Sequence, residues 1–185
     1  REVEEALKDL ERILKESEDN VRRNIKKNED LLRRVEERIR ELLDEARRLL
    51  ERVKEVKKDN SSEDELRELL ERLKKAVEDI ERELKKLLED LDKAVRESIE
   101  DLKKSDRDLE EVVKKIKEDL RDRVDDKDLV ERLKEELERV TRDSRRVVDE
   151  LRKRSEKVRE DVRRLIEDLR RRLEKVIRDV EEDAR

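Results

Sequence analysis

Nine of the twenty amino acids are missing from this chain of 185 residues: glycine, proline, cysteine, methionine, histidine, glutamine and the three aromatic residues. Without Cys and His there are no thiolate or imidazole groups, which excludes disulfides, zinc and iron–sulfur sites and Ser-His-Asp triads. Without Gly the chain cannot form the loops that hold phosphates and dinucleotides. Without aromatic residues it lacks stacking platforms for nucleic-acid bases. We therefore expect no catalytic residue, no cofactor and no metal.

The chain also has no large excess of either charge sign and no long apolar run. The chain has 55 Lys and Arg against 60 Asp and Glu, and its net charge of −5 predicts no strong attraction to nucleic acid or anionic lipid. The longest apolar runs are pairs such as Leu31-Leu32, whereas a membrane span needs about 20 residues. The start shows no targeting signal. We expect a soluble protein, cytoplasmic on recombinant expression, with no nucleic-acid or membrane partner.

What the chain does contain is charge (62%) and apolar residues (31%) in a regular order. Apolar residues recur every three or four positions, as one face of a helix requires. One such stripe runs through Leu32, Val35, Ile39, Leu42, Ala46, Leu49, Val53 and Val56. The near-cancelling charges argue against disorder. The average step of about 3.5–3.6 residues per turn predicts a weak left-handed twist.

Two short breaks interrupt the stripe and divide the chain into three predicted helices, about 2–58, 63–124 and 129–183. Each break contains residues that cap helix ends, including Ser-x-x-Glu and Asp-x-x-Glu boxes. The predicted caps are Asn60, Ser62 and Glu65 at the first break, and Asp128 and Glu131 at the second. Short connections make successive helices antiparallel neighbours. The predicted fold is all-α: one domain over 1–185, an elongated, coiled-coil-like, up-down-up antiparallel three-helix bundle.

Three of the twelve uncharged polar residues lie at the first break, and the other nine gather in one third of the predicted bundle, mostly on the apolar stripe. These nine are Ser17, Asn20, Asn24, Asn28, Ser98, Ser105, Thr141, Ser144 and Ser155. Folding the chain at its breaks brings Asn24, Ser98 and Ser155 to one height. Scattered surface residues would rarely share one band, and neutral oxygens alone make a weak ion site. We favour a buried hydrogen-bond network that specifies register and topology, over surface scatter and over a small-molecule or ion site.

The charges allow two interpretations. The second helix with its flanks (60–126) carries 17 basic and 24 acidic residues, whereas the other two are close to balance. This difference either helps to fix the arrangement of the helices or reflects ordinary solvated faces with i,i+4 pairs, each worth about 0.2–0.5 kcal/mol. The sequence does not separate the two.

The whole chain resembles computationally designed helical bundles with buried hydrogen-bond networks. The resemblance rests on long regular helices, the capping boxes, a Glu, Lys, Arg, Leu and Val palette and polar layers in the seam. It implies a hyperstable structural scaffold with no natural substrate. Spectrin-type repeats have a Trp that is missing here, and single charged helices lack an apolar seam. The basic segment 151–173 resembles exchangeable apolipoproteins, which would imply lipid binding, but its acidic residues dilute the likeness.

These observations leave three hypotheses for function. The first is a designed scaffold, monomeric and needing no partner, although self-association is possible. The second is a designed interaction module whose polar layer or charged faces pair with another chain. The third, more remote, is an apolipoprotein-like lipid binder. An enzyme has no support, because no carboxylate is expected on the buried stripe.

Overall fold

The computed structural model describes residues 2–58, 63–120 and 127–183, all of them helical. The helices are α1 (Glu2–Lys58), α2 (Glu63–Leu120) and α3 (Lys127–Asp183). No strand occurs within these three ranges, so the prediction of an all-α, three-helix protein is confirmed.

The predicted boundaries agree with the structure at α1 and differ at the start of α3. α3 begins at Lys127, two residues before the predicted start of about 129, so Asp128 lies in its first turn, and its role as a cap stays a prediction. The other predicted caps, Asn60 and Ser62, fall outside the described residues, as does the predicted end of the second helix at 124. Glu65 is the third residue of α2 and Glu131 the fifth of α3, and both are exposed.

The helices form because nothing in their sequences interrupts them. Gly and Pro are absent, and Leu, Glu, Lys and Arg are good helix formers. Charge follows the helix dipole at the first connection, where α1 ends on Lys57 and Lys58 and α2 starts with Glu63, Asp64 and Glu65. None of the described helices has a stretch apolar enough to cross a lipid bilayer.

The contacts divide the chain into two compact units. Unit 1 comprises residues 1–30 and 93–154, and unit 2 comprises 31–92 and 155–185. Each unit therefore takes one segment from each of the three helices. The single domain over 1–185 stays a prediction.

Unit 1 has an apolar core to which all three helices contribute. Leu10 and Leu14 of α1 pack with Leu109 and Val113 of α2 and with Val140 of α3. Further along α1, Asn24 contacts Asp101 of α2. Because residue numbers rise on α1 as they fall on α2, these two helices are antiparallel in unit 1.

Unit 2 has its own core, again drawn from three helices. One cluster of its buried residues comprises Leu50, Val53, Leu70, Leu73, Val77, Val176 and Val180. Glu81 pairs with Arg170, and Asp92 pairs with Arg159, so α2 and α3 are antiparallel here. No large hydrophobic residue is exposed among the described residues of either unit.

Candidate functional site

The polar residues of the predicted band are mostly buried. Six of the nine are buried in the structure: Ser17, Asn24, Asn28, Ser98, Ser144 and Ser155. The other three, Asn20, Ser105 and Thr141, are partly buried. Eight of the nine belong to unit 1, and Ser155 alone belongs to unit 2. We call the eight residues of unit 1 the polar seam.

Three asparagines on α1 form the best-connected part of the polar seam. They are spaced four residues apart, so they lie on one face of the helix. The Asn24 amide Nδ2 donates to the backbone oxygen of Asn20 at 3.0 Å and to its side-chain Oδ1 at 3.3 Å. The Asn28 Nδ2 donates to the backbone oxygen of Asn24 at 2.7 Å. These local bonds hold the amide groups in place.

The same amides also bond across to α2. Asn28 Nδ2 donates to Ser98 Oγ at 2.8 Å, a fully buried contact. Asn24 Nδ2 donates to Asp101 Oδ2 at 2.9 Å, nearer the surface. Both contacts are specific to one alignment of α1 and α2, because a shift of one turn would leave buried donors without acceptors.

The structure pairs Ser98 with Asn28 rather than with Asn24, one helical turn away from the predicted partner. The physical reason is side-chain direction: Cα–Cβ bonds tilt toward the N-terminus of a helix. The Asn28 amide therefore reaches back to the height of Asn24, where Ser98 lies on the antiparallel helix. Matching by residue number compares Cα positions and misses this tilt.

Ser155 makes a separate contact in unit 2. Its hydroxyl donates to Asp92 Oδ1 at 3.5 Å, and Arg159, one turn further along α3, binds the same carboxylate oxygen. Ser155 thus joins α3 to α2 through a charged group that the sequence did not single out. The layer of Asn24, Ser98 and Ser155 stays a prediction.

Two buried atoms of the polar seam have no hydrogen-bond partner among the described residues, Asn28 Oδ1 and Ser144 Oγ. Both residues are only 1% exposed. The Ser144 hydroxyl lies near the Asp106 carboxylate, but this approach falls short of hydrogen-bond geometry. A buried polar group without a partner destabilises the folded state by about 1–3 kcal/mol.

Asp106 lies beside the apolar stripe of α2, on which no carboxylate is expected. It is partly buried, and burial raises its pKa above the ordinary value of 3.8; Glu110 raises it further, while Ser144 and Arg145 oppose the rise. The sequence carries a signal for this, because Asp106 lies four residues after Leu102 and three before Leu109, both buried. Position 106 therefore flanks the stripe.

We expect Asp106→Asn to stabilise the protein at neutral pH. A raised pKa in the folded state means that Asp106 favours folding fully below pH 3.8, and that this contribution is lost as the pH rises through the folded-state pKa. The amide carries no charge to desolvate. Urea denaturation from pH 3.5 to 7.5 should give variant and parent similar stabilities at the acid end, and a gap that widens with pH. A gap independent of pH would contradict the burial of Asp106.

Charged pairs on the surface also connect the helices. Arg170 binds Glu81 through two bonds of 2.9 and 3.1 Å, and the Glu81 side chain is only 15% exposed. Arg38 Nε lies 2.6 Å from Glu83 Oε1. The hydrogen bonds of Arg38 to Glu83 and Glu41 raise the pKa of its guanidinium. The sequence did not single these residues out, because charges of both signs flank every stripe.

In unit 1 one such pair joins α1 to α3. Arg139 Nη2 lies 2.8 Å from Glu18 Oε1, and the Arg139 side chain is largely in solvent whereas that of Glu18 is partly buried. A surface pair of this kind contributes about 0–1 kcal/mol. The pair therefore adds little stability, and it favours the alignment of α1 and α3 in which the two charges meet.

A shallow groove lies along each helix pair of unit 1. The largest, about 570 Å³, runs between α1 and α3 over Val21, Ile25, Val140 and Val147. The α2–α3 and α1–α2 grooves measure about 460 and 330 Å³. All have charged rims with both signs. No group of three acidic side chains is arranged to hold a metal ion among the described residues.

Comparisons with known proteins add little to this description. No protein-family model matches the chain, and no curated protein matches it. Among solved structures it is similar to a "Computationally designed three helix bundle", with 21% identity over 98% of this chain and 88% of that one and a TM-score of 0.34. At this identity and score, the fold assignment rests on the helices and cores described above.

Proposed function

We propose that the chain is a structural scaffold of designed origin, whose polar seam specifies how the helices align. The observation that carries this proposal is the buried bond from Asn28 to Ser98, next to that from Asn24 to Asp101. An apolar seam alone tolerates a shift of one turn, because one Leu or Val can replace another. Directed hydrogen bonds do not, since a shift leaves them unmade.

The composition supports the designed origin. The three helices have 57, 58 and 57 residues and no helix-breaking residue. Eleven amino-acid types supply the whole chain, and these are the types that idealised helices and cores need. Such a protein acts on no substrate and takes no cofactor, and its purpose is its own structure.

The rival proposal is an interaction module, in which another chain completes the polar layer. The geometry favours the scaffold, because the buried bonds of the polar seam are made within one chain and no large apolar side chain is exposed among the described residues. A stable interface needs an apolar centre as well as a polar rim. The third proposal is a lipid binder, and it rests on the basic segment 151–173.

Light scattering coupled to size-exclusion chromatography tests the scaffold proposal. We expect a mass of 22.7 kDa, that of one chain, at all concentrations up to the millimolar range. A mass of twice this value would contradict the monomer and support the interaction module. Co-sedimentation with phosphatidylserine–phosphatidylcholine vesicles would instead support the lipid binder.

A further inference from the structure

The polar groups of the core are distributed unequally between the two units. Of the six polar side chains that are buried among the described residues, five lie in unit 1 and one, Ser155, lies in unit 2. Both units take a segment from each helix, one end of the chain and one connection between helices. The two units are therefore built from the same kinds of segment, and the difference lies in the side chains that fill their seams.

The two atoms without partners fall in the same unit. Asn28 Oδ1 and Ser144 Oγ are both in unit 1, and so is Asp106, whose carboxylate is partly desolvated. Each of these groups is better solvated when the helices around it separate, because water then supplies the missing hydrogen bonds. They lower the free energy needed to open unit 1 and leave unit 2 unaffected.

The buried side chains add to the difference. Grooves occur in both units: three of about 330–570 Å³ lie along the helix pairs of unit 1, one of them lined by Ser17 and Ser105, and one of about 390 Å³ lies between α1 and α3 in unit 2. The buried seam of unit 2 consists of Leu, Ile, Val and Ala apart from Ser155, whose hydroxyl has a partner in Asp92. Small polar residues bury less apolar surface than the Leu they replace, and burial is the main stabilising term.

We propose that unit 1 opens as a separate cooperative unit, at a lower free energy than unit 2. The chain then has a minor state in which the polar seam is open to solvent while the core of unit 2 is intact. The separate opening of unit 1 is a property beyond the scaffold function. It requires the two units to differ in stability, in a monomer and in an oligomer alike.

Native-state hydrogen exchange followed by mass spectrometry tests the proposal on the intact chain. Under conditions where exchange reports the opening equilibrium, amides in 12–28, 95–113 and 133–152 should exchange at least about tenfold faster than those in 34–54, 68–90 and 157–178. The segments of unit 1 lie 6–10 residues from the nearest helix end and those of unit 2 lie 4–5, so nearness to a helix end would act against the expected difference. Equal protection in the two sets would overturn the proposal.

A matched pair of variants locates the cause. Ser144→Ala removes a hydroxyl that has no partner, whereas Ser155→Ala removes one that is bonded to Asp92. Both changes gain the same helix propensity. Ser144→Ala should slow exchange in the segments of unit 1 alone, and Ser155→Ala should leave those segments as they are. If Ser144→Ala shifted both units equally, they would open together and the proposal would fail.

Discussion

Replacing Ser98 with Ala should destabilise the protein by about 1–2 kcal/mol, although Ala is the better helix former. Ser98 is buried and accepts the hydrogen bond from Asn28 Nδ2. Without it, the Asn28 amide keeps only the backbone oxygen of Asn24, and its Oδ1 already lacks a partner. The loss is that of a buried donor left unpaired, which exceeds the net value of a typical hydrogen bond. Urea denaturation monitored by circular dichroism measures it.

Ser105→Ala is the matched control for this prediction. Ser105 lies two turns further along α2 and is partly buried, and its hydroxyl makes no hydrogen bond to another described residue. Its replacement should be neutral or slightly stabilising. If Ser98→Ala were equally harmless, the bond between Asn28 and Ser98 would not form in solution.

Replacing Asn28 together with Ser98 shows how much stability the polar seam removes. Adding Asn28→Leu to Ser98→Ala removes the unpaired amide and places an apolar side chain at a position that is 1% exposed. We expect the double variant to equal or exceed the parent in stability, because two apolar groups replace two polar ones. The stability returns, but the directional contact that fixes the alignment of α1 and α2 does not.

The three helices could be predicted from sequence because their signal is repeated along the whole chain. Every stretch of about 11 residues carries the same apolar spacing, so one misjudged position does not change the result. The start of α3 depends on a single capping residue, and the helix begins at Lys127, two residues before the predicted position. Boundaries rest on few residues, whereas periodicity rests on many.

The apolar spacing in the sequence predicts where the polar band lies along the chain, but it does not predict which residues its side chains bond to. Position on the apolar stripe predicted that Asn28, Ser98 and Ser144 would lie toward the core, and all three are buried. Their partners depend on side-chain tilt and on flanking carboxylates, which periodicity does not describe. Asp92 and Asp101 illustrate this, because each accepts a bond from a residue of the band while belonging to the charged face by sequence.

The largest expected effect lies in the apolar core of unit 2. Leu84 is completely buried on α2, and its replacement by Ala should destabilise unit 2 by about 2–5 kcal/mol. The cost combines lost apolar burial with the cavity left behind, since neighbours such as Ile80 sit on rigid helices that relax only in part. Leu88→Ala is the control, because Leu88 lies one turn away and is only partly buried, so it should cost about half as much or less.

The same substitution links the apolar core to the behaviour of the two units. Leu84 belongs to unit 2, whose seam is almost wholly apolar, so its loss weakens the unit that we infer to be the more stable. Hydrogen exchange of Leu84→Ala should therefore show faster exchange in 34–54, 68–90 and 157–178, approaching that of unit 1, whose own rates change little. Equal costs for Leu84→Ala and Leu88→Ala would mean that burial does not control stability in this unit. A uniform rise in exchange across both units would instead show that apolar burial in one unit supports the other.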